Sequence, residues 1–166
     1  SVQASDVIEE FGSKIKYVLD GGKCSIGLES TIINLLNKPT VLRFGGLDVS
    51  KIKKILKKNI LTRVNLKNKI APGQFRLHYS PGIPLRINAK KPKKNEAFVL
   101  VNKRRATLKS YYYLSKKNDL QQSAKNLYTL LRTIKKDGFK KIAVEKISNK
   151  GIGKAINDRL NRASKY

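Results

Sequence analysis

A chain of 166 residues, 40% of them hydrophobic, has room for one domain or two small ones and can bury a core, which excludes a disordered tail. No apolar run is long enough to cross a membrane, and the opening residues SVQASDVIEE lack the basic and apolar regions of a secretory leader. The one cysteine, Cys24, excludes an internal disulfide and a Cys/His metal cluster, so a reducing cytoplasm is expected. The 37 Lys+Arg against 11 Asp+Glu give a net charge of +26 that attracts polyanions such as RNA, although the lysines are scattered, as on ordinary solvated faces.

Taken in order, Ser5 or Asp6 can cap a helix over 5–19, where Val7, Ile8, Phe11, Ile15, Val18 and Leu19 recur near the helical period. Asp20-Gly21-Gly22 stops it. The helix opens with no strand before it to pack on, which suggests the later part of a longer protein. A glycine turn then leads into a β-branched strand over 27–35, and a turn at Pro39 joins it to a second strand, Thr40–Arg43, as a hairpin. Asp48 caps a short helix with Val49, Ile52, Ile55 and Leu56 on one side.

The pattern weakens after Asn59 until the stretch 71–84, APGQFRLHYSPGIP, which holds three of the five prolines and the only histidine. Proline fixes φ and removes an N–H, so this stretch is neither helix nor central strand. Its Phe75, Leu77, His78 and Tyr79 are unlike a flexible tether, which predicts an ordered, extended connector lying on something. From Pro84 strands and helices alternate. Ala97–Val101 is a continuous apolar run suited to a strand covered on both faces. Strands are also predicted over 108–114 and 141–147, a helix over 119–136 capped by Asp119, and a helix over 152–163. That alternation predicts a small parallel α/β layer.

Several residues could carry chemistry. Glu29-Ser30-Thr31 puts two hydroxyls and a carboxylate at a strand edge, suited to a small polar ligand. Arg43, ahead of Gly45-Gly46, offers a planar donor fork that matches phosphate, beside backbone that a ligand can approach closely. His78 and Tyr79 could supply a base and a stacking ring. Gly151-Ile152-Gly153 lies between strand and helix where a dinucleotide fingerprint would, but Ile156 stands in place of the third glycine. No Ser/His/Asp set and no suggestively spaced acid pair supports hydrolysis.

In order along the chain, GLEST (27–31), LRFG (42–45), APG (71–73), HYSP (78–81) and GIGKAINDRLNRA (151–163) resemble the long form of threonylcarbamoyl-AMP synthase. The resemblance implies an α/β chain with three parts: the C-terminal remnant of a YrdC-like catalytic domain (1–58), an ordered linker (59–84) and a small Rossmann-like domain (85–166). It also implies an activity, the conversion of L-threonine, bicarbonate and ATP into threonylcarbamoyl-AMP and pyrophosphate for the threonylcarbamoyladenosine modification of tRNA. Ser30 would contact L-threonine, Arg43 would contact ATP, Tyr79 would close over the nucleotide, and His78 would order that closure. ATP is then a substrate accompanied by Mg2+, and tRNA is a partner either directly or through the downstream transferase. Phe44 replaces the family's usual proline. The family's lysine-x-arginine and Ser-x-Asn motifs lie upstream of the part matched here, so these 166 residues alone are expected to be inactive. The rival readings are a basic RNA-binding module, double-stranded RNA included, using Tyr111-Tyr112-Tyr113, and a regulatory α/β domain.

Overall fold

Among the described residues two separate sheets divide the chain, one of two strands and one of four. The computed structural model describes residues 2–36, 38–62, 71–72, 79–104 and 108–164.

The N-terminal part opens on helix α1 (Ala4–Phe11) and a 3-10 turn (Gly12–Lys14). The helix is shorter than its apolar period suggests. Gly12 takes φ 51°, a left-handed geometry that ends the helix, and its N–H returns to Ile8 O. The apolar residues beyond it are therefore not on a helix, and Leu19 is 98% exposed. Neither Ser5 nor Asp6 is the cap, since the preceding position is Gln3. Asp6 sits in the first turn, accepts from Val2 N at 2.8 Å and pairs with Arg132 at 2.8 Å.

Strand β1 (Ile32–Asn34) pairs antiparallel with β2 (Thr40–Arg43), with a register shift between Ile32 and Ile33. The predicted strand over 27–35 is thus cut to its second half, because residues 27–31 make tertiary contacts instead. Helix α2 (Val49–Leu56) is capped by Asp48, which accepts from Ser50 N at 2.9 Å. Val41, Val49 and Ile60 form a small core, and Leu61 runs beside β2 through Val41 N to Leu61 O (2.8 Å) and Leu61 N to Pro39 O (2.7 Å).

The larger sheet is wholly parallel, in the order β3 (Leu85–Arg86), β6 (Ile142–Val144), β4 (Ala97–Leu100), β5 (Tyr111–Tyr113). This is the small parallel α/β layer that the alternation predicts, with β3 added at its edge. Helices α3 (Leu120–Lys136) and α4 (Gly153–Ala163) share one core with Val99 and Val144. Asp119 caps α3 by accepting from Gln121 N and Gln122 N. The other sheet face carries Phe98 and Leu100 against Tyr111 and Tyr113, so β4 is covered on both sides. Tyr112 points the opposite way and donates to Asp137 Oδ2 at 2.6 Å, which commits the middle ring of the tyrosine run to the fold.

Among the described residues no helix is long and apolar enough to cross a membrane, and no group of three His, Cys, Asp or Glu could hold a metal ion.

Leu127 on α3 is fully buried in the larger core. Leu127→Ala is expected to lower the urea midpoint by an amount equivalent to about 2–5 kcal/mol with an unchanged slope, measured by circular dichroism.

Candidate functional site

The motifs at 27–31, 42–45 and 71–72 meet at one guanidinium. Arg43, the last residue of β2, is 8% exposed. Its Nε donates to Ser30 O at 3.1 Å, its Nη2 to Ser30 Oγ at 3.1 Å and its Nη1 to Pro72 O at 3.4 Å. The arginine therefore clamps the strand edge to the start of the proline-rich connector.

The local sequence makes that approach possible. A Cβ at Gly45 would collide with backbone atoms of Glu29, Ser30 and Thr31, so only glycine lets the two segments lie this close. Gly46 N donates to Glu29 O at 2.9 Å. Thr31 Oγ1 accepts from Gly45 N at 3.1 Å and donates to Leu47 O at 2.5 Å, so this hydroxyl holds the turn. Ser30 is exposed, and its Oγ accepts from Arg43, which leaves its proton to donate to a ligand. Phe44 packs against both cores and lies at the seam between them.

Among the described residues Arg43 meets neutral oxygens only. All eleven acids of the chain lie among the described residues, and each is engaged elsewhere. Seven form ion pairs: Asp6 and Glu10 with Arg132, Glu9 with Lys136, Glu29 with Arg159, Glu96 with Arg86, Glu145 with Arg104, and Asp158 with Arg159 and Arg162. Asp48 and Asp119 cap helices, Asp20 holds a turn and Asp137 accepts from Tyr112. A charge out of water without a counter-charge is costly, so this strand edge is complementary to an anion.

A second cluster adjoins the first through Glu29, the neighbour of Ser30. Arg159 of α4 is 1% exposed and reaches Glu29 Oε2 with Nε at 3.0 Å and Nη2 at 2.9 Å, while Nη1 donates to Asp158 at 2.7 Å. Its Cζ lies 4.7 Å from the centroid of the Tyr79 ring, in cation–π geometry. Tyr79 stacks on Tyr128 of α3 with centroids 5.8 Å apart and planes at 21°. Tyr79 takes φ 75°, a left-handed backbone that a tyrosine rarely adopts, so tertiary contacts hold it there. Glu29, Tyr79, Ser80, Pro81, Tyr128 and Arg132 line a cavity of about 280 Å³.

Burial opposes ionisation of Glu29, but the Arg159 guanidinium and hydrogen bonds outweigh it and hold the carboxyl below its ordinary value. Burial pushes the Tyr79 phenol up, against the pull of Arg159, and burial raises Tyr128 as well. Both phenols are hydrogen-bond donors at neutral pH rather than bases.

Of the four predicted site residues, Ser30 and Arg43 are in direct contact, and Tyr79 lies beside Glu29, the neighbour of Ser30, where Arg43 also acts on it electrostatically. His78 lies outside the described residues. Gly151-Ile152-Gly153 is not brought to this site. It forms the turn into α4, whose first residue is Gly153, with Asp48 and Lys154 attracting one another nearby. Sequence reasoning missed Arg159 and Tyr128. The available signal was that Arg159 falls on the inward stripe of α4 with Ala155, Ile156, Leu160 and Ala163, where a charge needs a partner.

Residues 47–165 match the family described as threonylcarbamoyl-AMP synthase, C-terminal domain, and residues 1–45 match a family described as telomere recombination. The chain is 28% identical to a threonylcarbamoyl-AMP synthase of Pyrococcus abyssi, over 98% of this chain and 53% of that protein. The Bacillus subtilis enzyme of that name is 26% identical over 98% of this chain and 52% of its own length. A crystal structure of a P. abyssi protein complexed with L-threonine superposes with a TM-score of 0.83 at 27% identity, covering 99% of this chain and 54% of that one. Another P. abyssi structure, in which an adjacent histidine and tyrosine are both replaced by alanine, gives 0.73 at 26% identity, over 99% of this chain and 51% of that one. The chain spans about half the length of the curated relatives it matches.

Glu29→Gln strands part of the Arg159 charge and is expected to cost about 2–3 kcal/mol at pH 7. The folded carboxyl titrates below its ordinary value of 4.5, so its contribution is complete above that pH and is lost as pH falls through the lowered value. Urea melts at pH 7 and pH 3 should show the gap between wild type and variant closing at the lower pH.

Proposed function

The chain belongs to the threonylcarbamoyl-AMP synthase family, and from that premise we propose that it forms part of an enzyme making threonylcarbamoyl-AMP from L-threonine, bicarbonate and ATP. The product serves the threonylcarbamoyladenosine modification of tRNA, in the cytoplasm. In this reading 1–58 end a YrdC-like catalytic domain, 59–84 are the linker and 85–166 form the Rossmann-like domain.

The observation that supports it is the buried Arg43 guanidinium, in contact with Ser30 Oγ and without a carboxylate. Threonine's amine becomes a carbamate, a carbamate oxygen attacks the α-phosphorus, and the bond to the pyrophosphate oxygen breaks. Positioning and charge neutralisation dominate such a step, and no protein nucleophile is needed. Ser30 donates to threonine, in keeping with the threonine complex of the P. abyssi protein. Arg43 neutralises ATP phosphate oxygens bidentately. His78-Tyr79 is the only His-Tyr pair in the chain, and a His-Tyr pair is what was replaced in the second P. abyssi structure. Tyr79 covers the nucleotide, with His78 ordering that closure, and keeps water from the carbamate and the mixed anhydride. The donors here do not fit a resident Mg2+ ion, because Glu29, the acid beside Ser30, is held by Arg159. Mg2+ instead arrives with the triphosphate.

The test is pyrophosphate release from L-threonine, bicarbonate and ATP by the gene product carrying these residues. Arg43→Met is expected to lower kcat/KM for ATP about a hundredfold. A wild type that releases no pyrophosphate above background overturns the reading.

A further inference from the structure

We propose that Arg159 is a positioning residue of the synthase reaction, carried by the last helix into the nucleotide side of the site to set the plane of Tyr79 and the edge that bears Ser30. The role rests on the synthase reading but is not contained in it, since no substrate contact is assigned to α4.

Three observations converge. Arg159 is 1% exposed, which makes its partners decisive for where it lies. Two of its nitrogens meet one oxygen of Glu29, the residue before Ser30, and the third is held by Asp158, so the guanidinium plane is fixed from both sides. Its Cζ lies 4.7 Å from the centroid of the Tyr79 ring, which also stacks on Tyr128. Tyr79 belongs to the connector and takes a strained backbone, so its ring would leave this position without those neighbours. One side chain thereby sets two elements of the site at once. The planar fork is needed for this, because a lysine ammonium pairs with Glu29 but cannot lie along the ring while holding Asp158.

Steady-state kinetics of the gene product carrying these residues test the role. For Arg159→Lys the KM for ATP is expected to rise about tenfold while that for threonine stays within about twofold, and Tyr79→Ala added to it should change the ATP KM less than about twofold more. Leu160→Ala, which removes buried packing from the same helix, should lower stability with both KM values unchanged. Lost stability in Arg159→Lys with an unaltered ATP KM overturns the proposal. Should Arg159→Lys not fold, Glu29→Gln, which loosens the edge that bears Ser30, is expected to raise the KM for threonine about fivefold, and an unaltered value overturns the proposal.

A second measurement needs no turnover. The 166-residue chain is labelled with 3-fluorotyrosine and the Tyr79 resonance assigned through Tyr79→Phe. In Arg159→Lys that 19F resonance should move toward free fluorotyrosine and sharpen while the Tyr111 resonance stays. An unmoved Tyr79 resonance overturns the proposal. If the wild type releases no pyrophosphate, the synthase reading falls and the 19F result alone decides whether Arg159 holds Tyr79.

Discussion

A carboxylate at position 29 and a guanidinium at position 159 meet across 130 residues of sequence. Neither partner is self-sufficient. Arg159 is out of water and would be costly without an anion, and the Glu29 carboxylate is half withdrawn from solvent. Their contact fixes where α4 lies against the segment before β1. Apolar packing surrounds it, since Leu28 and Phe44 both rest on the core shared by α3 and α4. Gly27, at φ 76°, lets the chain pass close to the backbone of α3, where a Cβ would come within 2.6 Å of Lys125 Cα. The polar pair gives this seam its register and the apolar rim gives it area.

The two buried arginines beside this seam make an instructive contrast. Arg159 has two carboxylates, and Arg43 has one hydroxyl and two carbonyls. Both are the same group at nearly the same depth. With only 11 acids for 37 cations, most of the positive charge must stay in water. A buried cation is then tolerable in two ways, by taking one of the few carboxylates or by leaving its charge for a ligand to meet. The first arginine is neutralised within the fold, and the second is met by neutral oxygens alone among the described residues. Partner chemistry, rather than residue type or burial, separates them.

Much of this was readable from the sequence because local signals and tertiary demand agreed. The run 97–101 reads as a strand covered on both faces, and β4 is one. Asp119 and the apolar period after it mark α3 to within a residue. Ser30 and Arg43 could be named from their motifs, and β2 delivers them to each other. What failed did so for nonlocal reasons. The two-residue β3 has no pattern of its own and exists through its pairing with β6. The helix expected to reach residue 19 stops at Phe11 because Gly12 turns left-handed, although the apolar spacing continues. Arg159 and Tyr128 acquire their meaning only when α3 and α4 pack beside Glu29, a fact that no window of sequence contains.

The pairing of residues 29 and 159 also bears on the order in which the molecule can be made. A ribosome delivers the chain from its N-terminus at about 5–20 residues per second, and early segments fold with whatever neighbours have already emerged. The edge holding Ser30 is translated long before the helix that completes it. Until α4 appears, Glu29 has no guanidinium, Leu28 and one side of Phe44 lack the larger core, and the ring at Tyr79 has no cation above it. The hairpin therefore waits, partly unsupported, through the synthesis of the whole parallel sheet, and its edge is completed by a helix translated after all four strands of that sheet.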